Sequence, residues 1–208
     1  MSDILELASQ AAQSGHLLHS SLANLRTLLG ANPEPFVQES ITELVLDGAW
    51  DELNDRFFRT LAFGTGGLRG RTIGRRVTTA ETGKPDGLGR PQHACVGTNA
   101  MNAFNVARAT RGLALYLRKW AETNTPGIRP SIAIAHDTRH FSRDFAELTA
   151  RVAAQSGCDV FLFEGPRSTP QLSFAVRHRK ATAGIVITAS HNPPHDNGYK
   201  VYFNEGAQ

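Results

Sequence analysis

Apolar positions recur at three- and four-residue steps along the N-terminal part of the chain. Ile4, Leu5, Ala8, Ala11 and Ala12, followed by Leu18, Leu22, Leu25 and Leu29, predict a helix over 3–29. Gly30 stops it, and Pro33 and Pro35 enforce the break. Further helices are predicted over about 36–46 and 50–61, the latter bringing Leu53, Phe57 and Leu61 onto one face. From Phe63 the texture turns glycine-rich, and 78–97 reads as a polar loop or insertion. Thr98 or Asn99 then caps a helix over 100–121, with Phe104, Ala107, Leu115 and Trp120 among its apolar positions.

Beyond residue 130 the pattern becomes regular. "SIAIAH" (131–136), "CDVFLF" (158–163) and "TAGIVIT" (182–188) are short apolar runs of strand length. Between them Ser142 caps a helix to about Gln155, and Thr169 with Pro170 opens another to about Arg179. Alternating strands and helices predict a parallel sheet covered on both faces. Right-handed crossovers put the carboxyl ends of such strands on one edge, and ligands of open α/β sheets bind beyond that edge. Asp137 and Arg139 fall just past the end of the first strand of this set, and Ser190 just past the third. Chemistry is therefore sought there.

Composition narrows the function classes. With 208 residues and 40% hydrophobic content, the chain can bury a substantial core. Lys plus Arg number 22 against 19 Asp plus Glu, and the basic residues are scattered, which disfavours a nucleic-acid face and suits a protein handling small anions. Cys95 and Cys158 lack CxxC spacing and read as reduced thiols of a cytosolic protein. Asp3 and Glu6 sit where a signal peptide needs basic and then unbroken apolar residues, and no run reaches membrane-spanning length. The expected location is the cytoplasm, with no membrane partner.

Three stretches carry candidate chemistry. In "ITASHNPPHDNGYK" (187–200), Ser190 is either a nucleophile or a hydroxyl that closes a turn. His191 and Asn192 flank it as donors, and a turn at Asn197-Gly198 brings Lys200 back toward it. Such a set suits phosphate better than an acyl group, because phosphoryl transfer is mostly positioning and charge neutralisation. In "FGTGGLRG" (63–70) the glycines allow positive φ and close approach to an anion, and Arg69 is a bidentate phosphate donor; the competing reading is a tight turn with a surface arginine. In "HDTR" (136–139) Asp137 and Arg139 pair with each other and lock the loop, a structural role rather than direct catalysis. His93 and Cys95 are only two potential ligands and do not make a zinc site.

Taken in order, "FGTGGLRG", "HDTR" with Ser142, and "TASHNPPHDNGYKVYF" resemble the α-D-phosphohexomutase superfamily, and most of all its phosphoglucomutase/phosphopentomutase branch. The resemblance runs from about Leu53 to Gln208. It implies a three-layer α/β/α domain with a mostly parallel mixed sheet over 51–208, preceded by a helical extension over 1–50. It implies that Ser190 carries a phosphoryl group exchanged with a sugar monophosphate through a bisphosphorylated intermediate, with a hexose bisphosphate as activator. Ser190, Lys200, Arg69 and His191 are then the catalytic set, Lys200 acting in proton transfer beside the positive charge of Arg69. Thr65, Gly67, Arg69 and Asn192 are the implied substrate contacts. The family's Mg²⁺ sits on the phosphoserine oxygen and on aspartates of a DGDxDR-type loop, which this sequence does not contain. Nor does it contain the GEESGH-type sugar-selecting segment or the C-terminal phosphate-binding loop. Relatives have four domains, so the expectation is an N-terminal stretch covering the first, inactive by itself, with the remaining domains missing. Ala100 stands in "TNAMN" where relatives of the branch carry arginine.

Two other classes stay open on residues alone. One is a stand-alone module that binds phosphosugars without turning them over, separated from the mutase by whether the reading frame continues past Gln208 into a DGDxDR segment. The other is a serine hydrolase using Ser190 and His191, disfavoured because adjacent residues at a strand end seldom orient for a relay and no GxSxG elbow is present.

Overall fold

The computed structural model describes residues 2–84, 87 and 89–208. Pro85, Asp86 and Leu88, inside the stretch 78–97, lie outside the described residues. Contacts within the chain gather it into two units, Met1–Ala62 with Gly70–Asn102, and Phe63–Arg69 with Ala103–Gln208.

The first unit is helical. The helix expected over 3–29 is two, α1 (Ser2–Gln13) and α2 (His19–Gly30). Gly15 separates them at φ +81°, a left-handed conformation that a helix cannot contain. The apolar period runs on across the break because Leu17, in the connection, is itself buried. α3 (Pro35–Leu46) starts with proline at its first position, where the ring's fixed φ suits a helix. α4 (Trp50–Phe57) ends short of the predicted residue 61, although Leu61 remains buried. These helices share a core that includes Ala8, Leu25, Ile41, Leu44, Leu53 and Phe57, each large side chain worth about 1.5–3 kcal/mol on burial. Within the expected polar loop, α5 (Thr79–Thr82) forms, closed by a capping box between Thr78 and Glu81.

A buried ion cluster lies in this unit. Arg56 is 2% exposed, and its Nε donates to Glu52 Oε1 at 2.8 Å while Nη1 donates to Glu81 Oε1 at 2.5 Å. Nη2 donates to the Arg76 carbonyl and to Glu81 Oε2. Burial works against the guanidinium charge, but Cys95, Glu81 and Glu52 outweigh it and push the Arg56 pKa up. Burial pushes the Cys95 thiol up to about 12, Arg56 opposing. His93 stacks on Phe36, with ring centroids 4.1 Å apart. Both cysteines are free and buried.

The second unit is the α/β part. It holds the start of β1 (Gly67–Arg71), then α6 (Ala103–Asn124), β2 (Ser131–His136), α7 (Ser142–Gln155), β3 (Asp159–Leu162), α8 (Thr169–Arg179), β4 (Ala183–Ile187) and β5 (Asp196–Phe203). The strand order is β1-β5-β4-β2-β3, with β2 parallel to β3 and β4, and β5 antiparallel to β4. This is the expected mostly parallel mixed sheet. α8 covers one face, its Leu172 and Val176 packing with Ala133, Ala135, Val186 and Tyr202. α6 and α7 pack together on the other: Thr110 of α6 meets the Tyr199 hydroxyl at 3.1 Å, and Trp120 stands edge-on to Phe203. The three-layer architecture follows from that alternation along each strand.

Several local expectations change. The buried positions of α6 are Asn105, Val106, Thr110, Ala114, Leu117 and Ala121, whereas Phe104 and Leu115 point out at 53% and 63% exposure. Polar Thr110 takes a core position because Tyr199 supplies its partner. Asn197-Gly198 is no turn but lies inside β5, and the reversal comes earlier, where Asp196 N–H donates to the Pro193 carbonyl at 3.0 Å. Gly198 is there for space: a Cβ would fall 2.6 Å from the Thr188 carbonyl oxygen. Ser142 is the first residue of α7 rather than its cap, which is Phe141 at φ +63°.

Candidate active site at the carboxyl edge of the sheet

β2 and β4 are parallel neighbours, so the segments after them leave at the same edge. Asp137–His140 follows β2, and Thr188–Pro194 follows β4. Arg167–Thr169, leading into α8, is tied to β2 by the Arg167 N–H donating to the His136 carbonyl at 2.9 Å. Together they line a cleft of about 570 Å³ that includes Ser190 and Asn192. A concave site with few convergent polar groups is the usual form of a small-ligand pocket.

Ser190 is exposed and left-handed, at φ +59°. Its N–H donates to Thr188 Oγ1 at 3.0 Å, while its own Oγ bonds to no described residue. An L-residue in this conformation costs about 1–2 kcal/mol, so the surroundings must impose it. They do so through Arg139. Nη2 donates to the carbonyls of Ser190 (2.8 Å) and Asn192 (2.6 Å), and Nη1 to those of Pro193 (2.8 Å) and Asp196 (3.2 Å). Nε lies 3.3 Å from Asp137 Oδ2. Asp137 Oδ1 accepts from the Arg139 N–H at 2.9 Å and from Ser142 Oγ at 2.6 Å. Asn197 Nδ2 in turn donates to Ser142 Oγ and the His140 carbonyl, at 2.9 and 3.0 Å. The Asp137–Arg139 pair read from "HDTR" is present, and it extends into a grip on the serine loop.

The glycine stretch is a tight turn laid on β5. Gly64 N–H donates to the Gly67 carbonyl at 2.8 Å, Gly66 takes φ +75°, and the Gly66 carbonyl accepts from Val201 N–H at 3.0 Å. Gly67 is glycine because a Cβ there would sit 2.1 Å from the Tyr199 carbonyl oxygen. The turn delivers Arg69, whose Nη1 donates to Asn192 Oδ1 at 3.1 Å, and Asn192 Nδ2 donates to Asp196 Oδ2 at 2.9 Å. The stretch is the tight turn of the second reading, and its arginine reaches the serine loop.

Not every candidate converges. Ser190, Asn192 and Arg69 are joined in one loop network. Thr65 is exposed at the turn, and His191 is exposed beside Ser190. Lys200 is half-buried on β5 opposite Val186, whose side chain lines the cleft, so both project from the same face of the sheet. Among the described residues, Thr65, Gly67, Arg69, His191 and Lys200 fall outside the cleft lining. Tyr199, beneath them, has its pKa raised by burial, with the Thr110 hydrogen bond opposing.

Among the lining residues that the sequence did not single out, Arg167 is the one with free cationic donors. Arg167 donates from Nη1 only to the neighbouring Pro166 carbonyl and lies over the Phe163 ring at 5.5 Å. Stacking holds the guanidinium in place and leaves further donors for an anion. The signal was available: Arg167 follows the second predicted strand, as Asp137 and Ser190 follow the first and third.

A family model described as phosphoglucomutase/phosphomannomutase, alpha/beta/alpha domain I, matches residues 93–208. A phosphoglucomutase from Staphylococcus aureus (strain USA300) is 40% identical over 157 residues, covering 76% of this chain and 23% of the relative. A solved structure from Thermus thermophilus, described as a phosphomannomutase, superposes with a TM-score of 0.51 at 31% identity, over 71% of this chain and 26% of that one. The chain thus spans about a quarter of the length of the relatives it matches. The matched region contains β2 through β5 with the cleft and the serine loop, and on this footing the chain belongs to the phosphoglucomutase/phosphomannomutase family through its α/β/α domain I.

Proposed function

We propose that Ser190 is the phosphoryl carrier of a phosphosugar mutase that interconverts sugar 1-phosphates and 6-phosphates, or the pentose equivalents. The observation that carries this is an exposed Ser190 Oγ without an internal partner, held left-handed beside a cleft at the carboxyl edge of the sheet. In the forward half-reaction a sugar hydroxyl oxygen attacks the phosphorus of phosphoserine, the bond to Ser190 Oγ breaks, the hydroxyl proton passes to a base and the departing Oγ takes one up. The bisphosphorylated sugar reorients, Ser190 Oγ gives up its proton as it attacks the other phosphorus, and the sugar oxygen whose bond to that phosphorus breaks leaves as a hydroxyl. A covalent carrier thus divides one difficult transfer into two in-line steps. Arg69, anchored on Asn192, and Lys200 supply positive charge near the loop; Lys200 and His191 serve proton movement. Thr65, Gly67, Asn192 and the stacked Arg167 contact the sugar phosphate.

Mg²⁺ and a hexose bisphosphate activator belong to this reading of the whole protein. The described side chains do not by themselves form a metal site. Among the described residues no three His, Cys, Asp or Glu side chains cluster. The carboxylates of the serine loop region are engaged, Asp137 with Arg139 and Ser142, and Asp196 with Asn192. Among the described residues, a metal would be offered the phosphorylated Ser190 oxygen, and no step above is routed through one. The 208-residue chain assayed alone is therefore expected to isomerise no glucose 1-phosphate. No helix among the described residues is long and apolar enough to cross a membrane, in keeping with the cytoplasmic location we assign.

The test is Ser190→Ala in the full-length protein, with turnover of glucose 1-phosphate followed by a coupled assay and the wild-type serine examined by intact mass for an added phosphoryl group. Loss of turnover with an unchanged melting temperature is expected. Retained turnover excludes Ser190 as the carrier.

A further inference from the structure

We propose that Arg139 is the positioning residue that folds the serine loop around itself and so aims Ser190 Oγ at the reacting phosphorus, an inference that rests on Ser190 being the carrier. A guanidinium has five N–H donors. In Arg139 the four on the Nη nitrogens are committed, two on Nη1 to Pro193 and Asp196 and two on Nη2 to Ser190 and Asn192, while Nε faces Asp137 Oδ2 at 3.3 Å as an ion pair. No Nη donor remains for a substrate phosphate and Nε is turned to Asp137, so this arginine acts on the chain and not on the ligand.

Four carbonyl oxygens of one short loop converge on it. Carbonyl dipoles aimed at a common point repel one another, and only a cation at that point makes the arrangement stable. The Ser190 carbonyl is one of the four, so Arg139 fixes the peptide plane that follows Ser190, while the N–H bond to Thr188 Oγ1 holds the plane before it, and the two together keep the left-handed backbone at φ +59°. Release of that carbonyl lets Ser190 return to an ordinary conformation, which swings Oγ away from its present direction. Asp137 sets the guanidinium plane, and through Ser142 and Asn197 it connects the grip to α7 and β5. Lysine cannot substitute, because an ammonium has three donors on a compact centre and the planar fork is lost.

The experiment compares Arg139→Ala and Arg139→Lys with wild type in the full-length protein. It reads the rate at which glucose 1,6-bisphosphate phosphorylates Ser190, kcat and KM for glucose 1-phosphate, and amide exchange along the chain. Both variants are expected to lose about 10²-fold in labelling rate and kcat, the size of effect produced by misplacing a reacting group by about an ångström. KM stays within about twofold, since no ligand contact is removed. Faster exchange is confined to 188–198, and millimolar guanidinium restores part of the kcat of Arg139→Ala. Wild-type labelling and kcat in both variants, a loss carried wholly by KM, or exchange that rises throughout β2 to β5 would each overturn the proposal. A variant that does not fold leaves a measurement on the wild-type 208-residue chain: the Arg139 Nη protons are expected as resolved, slowly exchanging nitrogen-correlated signals. A single averaged signal refutes the four-carbonyl grip. If Ser190→Ala keeps its turnover, the carrier reading fails while the exchange and proton signals still report on the grip. If Ser190→Ala is inactive and the Arg139 variants label normally, only the present proposal fails.

Discussion

Gly67→Ala probes the seam between the glycine turn and β5. Gly67 is not in the left-handed region, so alanine adds no backbone penalty and the whole effect is contact. The new Cβ would lie 2.1 Å from the Tyr199 carbonyl oxygen, 2.9 Å from Lys200 Cα and 3.0 Å from the Tyr199 carbonyl carbon. All three are backbone atoms, so no rotamer change relieves them. Ordinary contact begins at 3.4 Å, and the turn must therefore withdraw from β5 by roughly 1.3 Å. Overpacking of this kind costs about 1–3 kcal/mol, which for a chain of this length lowers Tm by about 2–12 °C. The same withdrawal takes Arg69 Nη1, now 3.1 Å from Asn192 Oδ1, out of hydrogen-bond range. Calorimetry of the 208-residue chain measures the first effect. A cycle of Gly67→Ala, Arg69→Ala and the double variant measures the second through Ser190 phosphorylation in the full-length protein, where the two losses should overlap and not add. An unchanged Tm for Gly67→Ala, or fully additive losses in labelling, would refute the coupling between turn and serine loop.

In the helical unit, Arg56→Ala leaves Glu52 and Glu81 buried without their cation and should destabilise by about 3–5 kcal/mol in urea unfolding; a change under about 1 kcal/mol contradicts the buried cluster. Stability should also fall on the alkaline side. The Cys95 thiol is raised in the folded chain to about 12 from an ordinary 9.0, so the unfolded chain sheds its proton first, and the stabilisation present below pH 9 is lost toward pH 12 at about 1.4 kcal/mol per pH unit. Tyr199, also raised by burial, acts in the same direction above pH 10. Cys95→Ala should flatten the Tm profile between about pH 9 and 10, and an unaltered profile would show that another group governs it. Arg167→Ala should raise KM for the sugar phosphate by about tenfold, the worth of one charge-assisted contact, while sparing Tm; an unchanged KM removes Arg167 from the substrate site.

The repeating strands and helices after residue 130 could be read from the sequence because each carries its own signal: β2 occupies the predicted 131–136, and α8 begins at the predicted Thr169-Pro170. What failed depended on partners elsewhere in the chain. The turn at Gly15 hides in a leucine period that continues across it, and α6 presents Thr110 inward only because Tyr199 waits there. β5 reads locally as an Asn-Gly turn, since nothing in the dipeptide announces the Thr188 carbonyl against which Gly198 packs. At the candidate site, Ser190 and Asn192 were read from residue type and strand-end position, and Arg69 from the glycine-rich stretch that carries it. The pairing of Asp137 with Arg139 was legible from their spacing. The four carbonyls on Arg139 were not, because main-chain acceptors leave no trace in the letters of a sequence. The Glu52–Arg56–Glu81 cluster was not read from the sequence at all, because Glu81 closes over the i,i+4 pair from a distant part of the chain.

The antiparallel register of β4 and β5 has a consequence for how the chain assembles. The two strands are joined by the serine loop itself, so they form a hairpin whose contacts are local and close in microseconds. Arg139 comes from the far side of α7, β3 and α8, and it arrives only when β2 docks on β4 across that long crossover. The hairpin can thus exist with its loop slack. On the proposed function, competence to accept a phosphoryl group would then follow the pairing of β2 with β4, and a chain still growing or partly opened would carry its serine without yet being able to use it.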